Sequence, residues 1–153
     1  MPPTDALIGS KIGNYDVQRL IGEGAMGRVY LVIHPDIGKK VAIKILAAHL
    51  SEKGRMVKRF MFEARAINEI EHPNIIQIFD FGSLPDGRYY YSMEFLRGRT
   101  LSEAIKTEVL RFGQIKKIVS EICDALDAVH AKGIIHRDIK PSTIFLAQSG
   151  RRR

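Results

Sequence analysis

Val41-Ala42-Ile43-Lys44-Ile45-Leu46 is an apolar run interrupted by one ammonium, and that lysine constrains the fold more than any other residue. Side chains alternate between the faces of a strand, so Lys44 points the same way as Ala42 and Leu46. Between Arg55 and Ile70, the residues Met56, Phe60, Glu63, Ile67 and Ile70 recur at spacings of four, three, four and three. That period is helical and sets the Glu63 carboxylate within the apolar stripe. Burying either charge unpaired costs on the order of several kcal/mol after relaxation. The cheapest arrangement packs the helix on the sheet with the two charges together. Two readings are open at this point. The pair is a structural ion pair, or a lysine snorkelling to solvent. Alternatively, Glu63 orients Lys44 toward an anionic ligand, since a mobile ammonium suits phosphate oxygens.

A glycine-rich turn lies upstream. Gly22-Glu23-Gly24-Ala25-Met26-Gly27 has the spacing G-x-G-x-x-G. In dinucleotide folds such a turn opens a helix. Here Gly27 runs into Arg28-Val29-Tyr30-Leu31-Val32-Ile33, which is strand-like, so that fingerprint fails on its structural condition. A Walker A loop fails too, because no Gly-Lys-Ser/Thr closes the motif. A tight strand-turn-strand unit remains, whose backbone a ligand can approach and whose N–H groups can point at phosphate oxygens. An ordinary glycine hairpin fits the same residues.

The other elements follow from periodicity and punctuation. Strands are expected at Tyr15–Ile21, Val29–Ile33, Val41–Leu46, Ile75–Phe81 and Arg88–Phe95. His72-Pro73-Asn74 stops the first long helix. After Gly98 the texture becomes helical: a short helix at Leu101–Lys106 and a long one from Phe112 to Ala131, with a broad apolar face from Ile115 to Val129. Gly133 suits the cap of that helix, with Lys132 beside its negative end. The expected organisation is a flexible arm (1–13), a strand-rich unit (14–93), a joint (94–99), a helix-led unit (100–148) and a basic tail (149–153).

Composition excludes several classes. With 45% hydrophobic and 27% charged residues, the chain is neither disordered nor collagen-like. One cysteine, Cys123, supplies neither a disulfide framework nor a thiolate zinc cluster. No apolar run reaches membrane-span length, and the first ten residues do not read as a secretory signal. A cytoplasmic chain is therefore expected. The net charge of +7 includes Arg151, Arg152 and Arg153 and is otherwise dispersed, so nucleic acid is not the expected partner.

His136-Arg137-Asp138-Ile139-Lys140-Pro141-Ser142-Thr143 concentrates ionisable groups in a loop. A carboxylate two residues before a lysine can accept a hydroxyl proton while the lysine steadies a transferring phosphoryl group. A solvated charged loop is the bland reading.

Together, Ile21 to Val29, Val41-Ala42-Ile43-Lys44, Glu63, His72-Pro73-Asn74 and His136-Arg137-Asp138 resemble, in that order, the N-terminal part of a eukaryotic-type serine/threonine protein kinase domain of the bacterial kind. The resemblance covers Tyr15 to about Gln148. It implies an α+β fold: a kinase-like N-lobe, with a five-stranded antiparallel sheet and one main helix, followed by the first helices and catalytic loop of an incomplete C-lobe. ATP is the implied ligand and a protein serine or threonine the implied substrate. The glycine loop, comprising Ile21, Gly22, Glu23, Gly24, Ala25, Met26, Gly27, Arg28 and Val29, would cover the phosphates, with Ile21, Val29 and Ala42 sandwiching adenine. Lys44 would pair the α- and β-phosphates and be held by Glu63. Met93 resembles the residue at the rear of the pocket, and Glu94 to Leu96 the hinge. Asp138 would position the substrate hydroxyl and Lys140 meet the γ-phosphate, while Arg137 resembles the residue that meets a phosphorylated activation segment. His130 and His136 are expected to be structural.

Two departures qualify the resemblance. Thr143 stands where the family pattern has a magnesium-binding asparagine, and its hydroxyl is a weaker metal ligand than an amide carbonyl. No Asp-Phe-Gly follows Thr143 within these 153 residues, so the Mg2+ expected for the family lacks most of its protein anchors, and phosphoryl transfer by these residues alone is not expected. A nucleotide-binding, pseudokinase-like or interaction fragment without transfer is the alternative, as is a segment completed by another chain covering the apolar helix face.

Overall fold

The computed structural model describes residues 5–148; the basic tail and the first four residues of the expected arm lie outside them. Two compact units form. The first comprises the chain up to Glu69 together with Ile76–Phe95, and the second comprises Ile70–Ile75 and the chain from Leu96 onward.

The first unit is a six-stranded antiparallel sheet ordered β1-β2-β3-β4-β6-β5. Its strands are β1 (Lys11–Ile12), β2 (Tyr15–Gly24), β3 (Gly27–Ile33), β4 (Lys40–Leu46), β5 (Ile78–Ser83) and β6 (Tyr89–Glu94). The five longer strands are those expected, and β1 adds a two-residue edge. β4 is central and covered on both faces, which is why it needs apolar side chains at nearly every position. Val41, Ile43 and Ile45 enter one core with Tyr30, Val32, Val17 and Ile12. Leu46 enters the other core, with Val57, Phe60 and Ala64 of the main helix, α2 (Gly54–Asn68). A four-residue helix, α1 (Ala48–Ser51), precedes it.

Residues 5–12, expected in a loose arm, are tied down instead. Lys11 and Ile12 pair with Asp16 and Tyr15. The Gly9 amide donates to the Val17 carbonyl, and the Val17 amide donates back to Ser10, both at 2.9 Å. Ile12 is buried and Leu7 packs on the same core. The packed stripe of α2 is also rotated from expectation. Val57, Phe60 and Ala64 are buried, and Glu63 sits at the margin with its side chain 40% exposed.

The second unit holds β7 (Gly98–Thr100), α3 (Leu101–Thr107), α4 (Phe112–Ala131) and β8 (Phe145–Ala147), with β7 and β8 antiparallel. α3 begins with a capping box. Thr100 accepts from the Glu103 amide at 3.2 Å, and Glu103 accepts from the Thr100 amide at 2.7 Å, satisfying two helix-start donors reciprocally. α4 ends as anticipated, on Gly133 at φ 71°, a conformation that glycine adopts without a Cβ penalty. Among the described residues α4 buries none of its side chains, and Phe112, Ile115 and Val119 are exposed.

Phe60 is fully buried, with its ring centroid 4.9 Å from that of Tyr91 and 6.2 Å from that of Phe81. Phe60→Ala is expected to lower the unfolding free energy by about 3–5 kcal/mol, read from urea denaturation. A loss under about 1 kcal/mol would show that α2 is not anchored there.

Candidate functional site

The glycine-rich segment forms a two-stranded turn and not a helix start. β2 and β3 pair down to Gly24 opposite Gly27, with Glu23 opposite Arg28 and Gly22 opposite Val29. Ala25 and Met26 are the turn. Gly27 is demanded by the fold: at φ 149° an added Cβ would lie 1.9 Å from the Ile45 carbonyl oxygen. The neighbouring Met26 carbonyl accepts from the Ala47 amide at 2.9 Å, tethering the turn to the end of β4. Gly22 and Gly24 differ. An added Cβ would meet only Val29 at ordinary contact distance at Gly22, and nothing within 4 Å at Gly24. Packing within the chain does not require either to be glycine, and the turn keeps open space beside its backbone. Ile21 falls at a register shift between Leu20 and Gly22, a bulge that re-aims the strand as it enters the turn.

Directly opposed residues in an antiparallel sheet share a face. Val29, Lys44 and Tyr91 form one cross-strand row, and Leu31, Ala42 and Met93 form the next row on the same face. The lysine, two residues expected to sandwich a base and the one expected at the rear of the pocket are thus on one side of the sheet. This is also the α2 side. The Lys44 ammonium lies 3.6 Å from the Glu63 carboxylate and 5.6 Å from the Tyr91 ring centroid.

The electrostatics follow from that geometry. Burial pulls the Lys44 ammonium toward its neutral form, but Tyr91 and Glu63 outweigh it and hold the pKa above the ordinary lysine value. Lys44 is therefore a fixed cation at neutral pH. Burial raises the Tyr91 phenol, so it stays protonated there. Tyr91 was not anticipated from sequence, where a tyrosine in a strand reads as apolar filler. Its signal is positional: it stands opposite Lys44 on the neighbouring strand.

Glu94 closes β6. Its amide donates to the Gln77 carbonyl and its carboxylate accepts from the Gln77 amide, both at 2.9 Å. Leu96 belongs to the second unit.

In the second unit, the loop from His136 is held by its own side chains. His136 Nδ1 accepts from the Asp138 amide at 3.3 Å, and Arg137 takes a positive φ of 63°. Asp138 and Lys140 form an ion pair at 3.0 Å with both side chains more than half exposed. A 3₁₀ turn spans Pro141–Thr143. Thr143 Oγ1 accepts from the Lys140 amide at 3.2 Å and lies 2.8 Å from the Lys140 carbonyl and 3.1 Å from that of Asp138. Its donor and one lone pair are committed to bracing the loop, and Asp138 already has a cation beside it. No group of three His, Cys, Asp or Glu side chains that could hold a metal occurs among the described residues. The Thr143 hydroxyl is thus left with one lone pair for any further ligand. The chain does contain one Asp-Phe-Gly tripeptide, Asp80-Phe81-Gly82, but it lies in β5, paired with β6, and precedes the His136 loop.

The protein kinase domain family matches residues 15–153. The serine/threonine-protein kinase Pkn1 of Myxococcus xanthus is 47% identical over 144 residues, covering 94% of this chain and 20% of that protein. The kinase PknJ of Mycobacterium tuberculosis is 35% identical over 141 residues, covering 92% of this chain and 24% of that protein. A crystal structure of the PknI kinase domain from M. tuberculosis superposes with a TM-score of 0.78 at 30% identity, covering 92% of this chain and 57% of that one. The chain thus spans less than a third of these two relatives' length and less than two thirds of the solved kinase domain. Among the described residues no helix is long and apolar enough to cross a membrane.

A raised lysine pKa stabilises the fold fully below the unfolded value, about pH 10.4, and that contribution is lost as pH rises through the folded value. Denaturant titrations from pH 9 to 11.5 are expected to show wild type losing stability more steeply than Glu63→Gln. Equal slopes would show that Glu63 does not hold the Lys44 charge.

Proposed function

The chain belongs to the protein kinase domain family, and from that premise we propose that it binds ATP between the glycine turn and the Lys44 face of the sheet, as part of an enzyme that phosphorylates protein serine or threonine. The backbone of Gly22, Gly24 and Gly27 covers the phosphates. Lys44 meets the α- and β-phosphates, and Glu63 and Tyr91 keep it charged and aimed. Ile21, Val29 and Ala42 hold adenine between them, with Met93 behind it and the backbone of Glu94 to Leu96 along its edge. For the second unit the family resemblance assigns Asp138 to accept the proton of the substrate hydroxyl as that oxygen bonds to the γ-phosphorus and the bond to the β–γ bridging oxygen breaks to release ADP, and assigns Lys140 to neutralise charge on the phosphoryl group.

The observation that carries this reading is the Lys44–Glu63 pair at 3.6 Å, on the face of β4 whose opposed neighbour Val29 also opposes Gly22. A structural ion pair alone accounts for the charges but not for the two glycines that packing leaves free.

A second reading is favoured by Thr143. Its hydroxyl proton and one lone pair are spent inside the loop, so residues 1–153 by themselves bind nucleotide without transferring phosphate and with little response to magnesium. Calorimetric titration with ATP, with and without Mg2+, tests both readings. Binding is expected in each condition, weakened roughly 10- to 100-fold by Lys44→Met, the loss of a charge-assisted contact. No heat of binding at millimolar ATP, or equal affinity in the variant, would contradict nucleotide binding here. Transfer of labelled phosphate to a basic protein, abolished by Asp138→Asn, would overturn the non-transferring reading.

A further inference from the structure

The N-terminal segment reaches the glycine-rich hairpin from outside it. The Tyr30 hydroxyl donates to Asp5 Oδ2 at 2.6 Å, and Arg28 Nη1 lies 3.4 Å from the same oxygen. Arg28 Nε donates to Glu23 Oε1 at 2.9 Å, directly across the hairpin and one position from its tip. A continuous chain of polar contacts therefore runs from Asp5 through Arg28 to the turn. Asp5 is itself held in place. Its Oδ1 accepts from the Leu7 amide at 3.1 Å, its carbonyl accepts from the Ile8 amide at 3.0 Å, and its side chain is only 16% exposed. Tyr30 is 1% exposed, so a hydroxyl deprived of Asp5 has little access to replacement water.

The hairpin tip needs such support. Gly22 and Gly24 bring no side chains to either core, and the Met26 carbonyl bonded to Ala47 tethers the turn to β4. Met26 also packs on the α2-side core; Arg28 is the handle on the other face, where Asp5 grips it, because Arg28 and Tyr30 alternate with Val29 along β3. An exposed Arg28–Glu23 pair alone would add little rigidity. Joined to a largely buried acceptor, it becomes part of a network anchored in the core. Burial pushes the Asp5 carboxyl upward, but Tyr30, Leu7 and Arg28 hold it below the ordinary range, so it is ionised at neutral pH.

We propose that Asp5 is a positioning residue for the glycine-rich hairpin, holding it through Tyr30 and Arg28 and so setting how tightly the turn closes on a nucleotide. The restraint stands on the contacts above; its effect on affinity rests on the nucleotide-binding reading.

Hydrogen exchange of the nucleotide-free protein tests the restraint, with the Val41–Leu46 amides as internal reference. In Asp5→Asn, exchange across Gly24–Arg28 is expected to quicken roughly tenfold, as for loss of a charge-assisted bond, while the reference stays unchanged. Raising salt from about 0.05 to 0.5 M should quicken the turn more in wild type than in the variant, which keeps only the exposed Arg28–Glu23 pair. Tyr30→Phe, which removes only the hydroxyl, should quicken the turn by a smaller factor and decides the matter if Asp5→Asn does not fold. An unchanged turn, or turn and reference quickening in parallel, would overturn the proposal, since a merely structural contact gives the latter. ATP affinity should fall in Asp5→Asn together with the faster exchange. Faster exchange with unchanged affinity would overturn the coupling to nucleotide. Wild type that binds no ATP would remove the nucleotide reading, and the exchange result would still decide the restraint.

Discussion

An ammonium and a carboxylate that must meet organise the first unit. Lys44 on the central strand can be tolerated beneath α2 only if a counter-charge arrives with the helix, and Glu63 brings it to 3.6 Å. The pair forms on the face of β4 that the helix covers, with Phe60 and Ala64 inward and Glu63 at the rim. It also leaves a positive charge on the sheet face, in one cross-strand row with Val29 and Tyr91. Replacing both groups with apolar side chains would be no worse for stability in many proteins. In the proposed function their charge serves an anionic ligand.

Much of this was legible because strong periods carry strong signals. The apolar run of β4 is buried on both sides, and α4 runs from Phe112 to Ala131 as its pattern indicates. The glycine spacing followed by Arg28-Val29-Tyr30 excluded a helix, and β3 does begin at Gly27. Other parts were not legible for physical reasons. β1 is two residues long, too short to show alternation, and α1 is four residues with no side-chain cap. The rim position of Glu63 arises because Val57 and Ala64, small residues that allow close approach, set the rotation of α2 while the larger Met56 is only partly buried.

The site itself was legible in its charged members and silent in its supports. Lys44 and Glu63 stand out as charges among apolar neighbours. Tyr91 does not, because nothing in a strand of aromatic residues says which hydroxyl faces a lysine. Asp5 lies in a stretch without period, and its partners are more than twenty positions away. Thr143 was visible as a departure from the family pattern, but its role in bracing the loop emerges only from three contacts made by one hydroxyl.

The most direct test of the account uses an ATP derivative carrying an acyl group on its γ-phosphate, which transfers that group to an amine held beside the phosphates. After brief exposure and proteolysis, mass spectrometry should find the acyl group on Lys44, and excess ATP should suppress it. Modification spread over surface lysines, or labelling of Lys44 that ATP leaves unchanged, would contradict the convergence of lysine, glutamate and glycine turn around one phosphate-sized space.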